Sequence, residues 1–205
     1  MTLPIRLVSV LGCALLLSAC SSAPVRYHTL LAPSSAPLSA TAARVPFVVE
    51  VLPVGIPAQL DQPQLVVRQD ASSLTLLEGE RWAAPLADEF RQALSAELSM
   101  RLGTQDVAGL SAPPGRKVLR LKVQVRRLDA WPSQAVELEA DWRLRFADER
   151  ENALLVCGGR FRQQAAGDYA QLVKAQQAAV AALAERISAD ARRFAIMRDA
   201  ACLSP

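Results

Sequence analysis

Histidine is almost missing from this chain: His28 is the only one in 205 residues. That scarcity argues against a metal centre or a catalytic triad built on imidazoles. A strong charge of either sign is missing too. Lys and Arg number 23 against 20 Asp and Glu, a balance too weak and too scattered to suggest a nucleic-acid partner. There is no HExxH, GxSxG, GxxxxGK[ST] or GxGxxG, so the familiar zinc-protease, hydrolase and nucleotide signatures fail. His28 reads as a surface residue in or near a tether, a poor place to hold a general base. Asp61, Asp70, Asp88 and Glu89 are scattered near turns and a helix start, where capping accounts for them. Cys157 lacks a basic neighbour to activate it as a nucleophile. The expectation is a protein with no catalytic residues, no metal and no cofactor.

What is present begins at the N-terminus. Arg6 precedes an apolar run, Leu7–Leu17, of about 11 residues, well short of the roughly 20 needed to cross a bilayer. Such a segment reads as a secretory signal. It ends in Leu17-Ser18-Ala19-Cys20, which resembles the lipobox of bacterial lipoproteins. That resemblance implies lipidation of Cys20 and cleavage after residue 19. Several acyl chains anchor a protein stably where one does not. Ser21 after the cysteine, by the sorting pattern of such lipoproteins, implies the outer membrane and its periplasmic face. Removal of the signal takes away Cys13, and lipidation occupies Cys20. Cys157 and Cys202 then remain as either a disulfide or a buried thiol with a free partner in the tail.

Residues 21–44 hold 14 Ser, Ala or Pro out of 24, the composition of a solvated tether. The segment 26–31 interrupts it as a possible short strand, so the domain begins at residue 26 or 45 and runs to 205. The hydrophobic content of 51% supports one globular domain. Residues 47–54 are continuously apolar and β-branched, as in a strand buried on both faces. Segments 65–69 and 74–78 flank a turn and read as a hairpin. Pro85 opens a helix whose stripe is Leu86, Phe90, Leu94, Leu98 and Leu102, and Gly103 closes it. Strict alternation over 119–126 and 136–146 predicts a second hairpin, with the basic row of the first strand facing the acidic start of the second. A further strand spans 153–163, where Gly158-Gly159 signals a bulge or close packing. Residues 168–197 form a long helix. The expected fold is α+β: one mixed sheet of five to six strands with two helices on it. Trp82 and Trp142 belong to the core. Trp131-Pro132, at the hairpin tip, either meets a partner or folds back over the sheet edge.

Several motifs carry a family resemblance: the lipobox, Tyr27-His28-Thr29-Leu30, the run Leu52–Arg68 (LPVGIPAQLDQPQLVVR), and Glu80–Leu86 (ERWAAPL). In this order they resemble the PqiC-type family, also described as the ABC-type transport auxiliary lipoprotein component. Pro57, Asp61, Pro63, Arg68, Arg81, Trp82 and Pro85 match its pattern. The resemblance implies an outer-membrane lipoprotein that works with an MCE-domain protein and inner-membrane transporter components. It would receive or cap a conduit moving lipids between the membranes, as a ring-like homo-oligomer. No catalytic residue carries over. Trp82 and Pro85 read as structural, while Arg68 and the 55–64 loop with Asp61 are interface candidates, as is Trp131 by its position. A second reading is a lipoprotein that activates or scaffolds a peptidoglycan synthase or a secretion complex.

Overall fold

The computed structural model describes residues 24–33, 44–149 and 154–202. Cys20, the signal segment and most of the tether lie outside them. The element order is β1 (Arg26–His28), β2 (Phe47–Val51), β3 (Gln64–Arg68), β4 (Leu74–Trp82), α1 (Leu86–Leu102), β5 (Lys117–Trp131), β6 (Ala135–Phe146), β7 (Leu155–Gln164) and α2 (Tyr169–Ile196). The α+β class is as expected, but the strands divide between two sheets. One has the order β1-β4-β3 and the other β2-β5-β6-β7. The first sheet cannot join the second at β2, whose free edge is already occupied. The segment after α1 runs along it, with Val49 N–H donating to Gln105 O and Val107 N–H to Val49 O.

Both helices lie against the inner face of the four-stranded sheet. Every member of the α1 stripe is buried, and Gly103 ends the helix in the left-handed region at φ 59°, where the absence of a Cβ removes the steric penalty. Asp168 caps α2 by accepting from Gln171 N–H at 3.1 Å. Facing the helices, Val136, Leu138, Ala140, Trp142, Leu144 and Phe146 are all buried. Phe146 stacks on Phe194 at 6.0 Å and meets Phe47 edge-on at 5.6 Å. Trp142 Nε1 donates to the buried Asp190 at 3.1 Å, which satisfies a donor whose burial would otherwise cost about 1–3 kcal/mol.

The two adjacent glycines of β7 serve close packing, not a bulge, since pairing with β6 runs regularly through Gly159↔Ala140 and Gly158↔Asp141. A Cβ on Gly159 would stand 3.0 Å from Phe161 and 3.3 Å from Trp142. Both neighbours are rings with little room to yield. Gly159→Val is therefore expected to cost about 1–3 kcal/mol, read as a lower melting temperature in thermal unfolding.

Candidate functional site

His28 is not a loose surface residue. β1 pairs in parallel with β4, setting Arg26 opposite Glu80 and His28 opposite Trp82. Glu80 is 4% exposed; its carboxylate accepts from Arg26 and, at 2.5 Å, from His28 Nε2. Burial alone would raise the Glu80 pKa, but hydrogen bonds and charge from His28 and Arg26 outweigh it and hold the group below 4.5. A depressed folded pKa means the stabilisation is complete above the unfolded value and is lost as pH falls through the folded one. Thermal unfolding followed from about pH 7 to about pH 3 is expected to lose part of its acid sensitivity in Glu80→Gln. An unchanged acid slope would refute this role.

Of the interface candidates, Arg68 and Trp131 fall at one end of β5, while Asp61 lies before the opposite end of β3. Beyond β2 the chain continues beside β5, with Gly55 N–H donating to Val123 O and Val125 N–H to Gly55 O. A Cβ on Gly55 would collide with the side chain of Gln124. The loop then turns through a 3-10 segment, Ala58–Leu60, and carries exposed Asp61 into β3. Arg68 at the end of β3 donates to Asp129 at 2.8 Å and to Ala71 O. Asp129 and Trp131 share the outward face of β5, and Trp131 is half-buried at the hairpin tip. Arg68 and Trp131 thus border the same region, but the Arg68 guanidinium is spent on an internal ion pair. The exposed turn after β3 is held by Asp70, which accepts from the N–H groups of Ser72 and Ser73; those bonds bring its pKa to about 2. Cys157 and Cys202 are joined as a disulfide, with Cα atoms 5.6 Å apart.

The outward face of the four-stranded sheet corrects the expectation for its charge rows. Antiparallel pairing places the start of β5 against the end of β6, so that Arg120 faces Arg145 and Lys122 faces Arg143. Basic meets basic at this end, while Arg126 meets Asp141 as expected. These four side chains, with Leu52 and Leu154, line an open recess of about 400 Å³. Arg120 donates to Glu50 at 2.7 Å, and Lys122 Nζ donates to Pro53 O at 2.6 Å. Among the described residues, Arg143 and Arg145 have no acidic partner. Elsewhere on this face the charges cancel in pairs: Arg126 with Asp141, Arg160 with Glu137 and Glu139, and Arg127 with Asp129.

The chain belongs to the ABC-type transport auxiliary lipoprotein component family, whose model matches residues 28–188. That span runs from the end of β1 well into α2. Among solved structures, one described as an uncharacterized protein has 19% identity and a TM-score of 0.64, covering 82% of this chain and 99% of its own. A Xanthomonas campestris protein of the DUF330 family has 17% identity and a TM-score of 0.57, covering 84% and 95%. Both share the fold. No curated protein matches the chain. Membership makes this an auxiliary lipoprotein of ABC-type transport, anchored in the cell envelope.

Proposed function

We propose that the protein is a non-catalytic accessory subunit of an MCE/ABC-type lipid transport system, anchored in the outer membrane through Cys20. It docks the periplasmic MCE conduit there and supports membrane integrity. The observation that carries this reading is the family match, which spans almost the whole folded body, including the 55–68 region. We place the partner surface on that region: Asp61 sits exposed on the loop, with Arg68 and Trp131 at its margin. With β1 paired into the body, only residues 21–23 separate it from Cys20, and a homo-oligomeric ring would present several copies of the loop around the conduit.

Crosslinking in cells, followed by affinity purification of the full-length protein and mass spectrometry, tests the reading. Recovery of an MCE-domain protein, lost when Asp61 is replaced by Arg, is the expected result. Recovery of a peptidoglycan synthase or secretion-channel components without an MCE protein overturns it.

A further inference from the structure

The basic recess is costly to the fold as it stands. Like charges directly opposite on neighbouring strands destabilise a hairpin. Here two such pairs lie side by side, Arg120↔Arg145 and Lys122↔Arg143. Among the described residues, these four cations have one carboxylate partner, that of Glu50. The remainder of the same sheet face is paired acid to base, so the excess is confined to this end.

We infer that the recess is a binding site for a phosphate-bearing anion, a phosphomonoester or phosphodiester. Arg143 and Arg145 supply guanidinium forks, which match phosphate oxygens two at a time, and Lys122 adds a point charge. The rim gives the ligand a second character. Leu52 and Leu154 line the recess, Leu154 is 38% exposed, and Val156, opposite Arg143 on β7, is 60% exposed. A cation cluster edged by exposed aliphatic side chains suits a phosphate carrying an apolar substituent, as in the headgroup region of an anionic phospholipid. The site does not depend on the docking reading, since it lies at the opposite end of β5 from Arg68 and Trp131.

The test uses the full-length protein in a neutral detergent, titrated calorimetrically with dihexanoyl phosphatidylglycerol, dihexanoyl phosphatidylcholine and glycerol phosphate. Saturable binding of phosphatidylglycerol, weakened about tenfold or more in Arg143→Gln/Arg145→Gln and by added salt, is expected. Arg160→Gln, on the same face, should bind as the wild type does. Glycerol phosphate binding as tightly as the lipid identifies a free phosphate ester as the ligand; tighter binding of the lipid identifies the headgroup. Thermal unfolding guards against a misfolded variant, because relief of the like-charge pairs should leave the unliganded Arg143→Gln/Arg145→Gln protein at least as stable as the wild type. Failure of both anions to bind, equal binding of phosphatidylcholine, or full retention of binding in the double variant overturns the site. None of these outcomes bears on recovery of an MCE protein.

Discussion

Replacing Glu89 by Ala is expected to lower the melting temperature by about 5–15 °C and to release the residues that join the tether to the body. Glu89 lies in the first turn of α1 but is 4% exposed, and it does more than complement the helix dipole. One carboxylate oxygen accepts from Leu30 N–H at 2.8 Å and from Thr29 Oγ1 at 2.6 Å. The other accepts from Ala84 N–H at 3.1 Å. A single side chain therefore ties the segment after β1 to the start of α1. Loss of the carboxylate strands two backbone donors, one of them on Leu30, which is 2% exposed. At about 1–3 kcal/mol for each orphaned donor, the sum is roughly 2–4 kcal/mol after partial relaxation. Gln can rescue only part of this, because its amide nitrogen presents a donor where an acceptor is needed. Hydrogen exchange should localise the change. Amides of 26–31 should exchange faster while the β5–β6 hairpin keeps its protection, and uniform loss of protection would sink the idea of a local clasp. The consequence reaches function: a body freed at 24–33 would hang from its anchor by a longer leash.

The periodic elements were legible because burial imposes a period on the sequence itself. Leu86 to Leu102 repeats every fourth residue, and Val136 to Phe146 alternates, and the same residues are the buried ones. Chemistry that depends on partners far along the chain was not legible. His28 and Glu80 are 52 residues apart, and nothing near either one announces the other. The same limit hid the splitting of the sheet, since occupation of the β2 edge depends on a segment more than fifty residues downstream. The recess is a different case, because its signal was in the sequence. A hairpin reverses direction, so the residues farthest before the turn must face those farthest after it. Arg120 and Lys122 lie far from the Pro132–Gln134 turn, and so do Arg143 and Arg145. The adjacent pair Arg126-Arg127 breaks the alternation of β5, and the register shifts there by one residue. Without that bulge, the polar side chains of early β5 would face the apolar row of β6. The reversal of the chain at the turn thus sets Arg120 against Arg145 and Lys122 against Arg143.

Reduction of the Cys157–Cys202 bond is expected to cost about 2–4 kcal/mol, a fall of roughly 5–15 °C in melting temperature. The bond spans 45 residues, and in the chain-entropy description a closed loop of that length is worth up to about 4 kcal/mol through restriction of the unfolded chain. It fastens the tail beyond α2 to β7, the strand that carries Val156 beside the basic recess. Two further contacts hold the same tail: Arg198 donates to both carboxylate oxygens of Glu149, at 2.8 and 2.9 Å, and its guanidinium lies 4.3 Å from the centre of the Phe146 ring. The tail should consequently stay docked through Arg198 when the disulfide is opened, while the global transition falls. Thermal unfolding with and without a thiol reductant measures the first effect, and hydrogen exchange at 197–202 measures the second. Cys157→Ala/Cys202→Ala should match the reduced wild type and show no response to reductant. A wild-type transition that does not move on reduction would show that the bond contributes nothing. Exchange of the tail at the rate of a free peptide would show that Arg198 cannot hold it alone, and an envelope lipoprotein in an oxidising compartment would then rely on the disulfide to keep β7 and its edge of the recess in place.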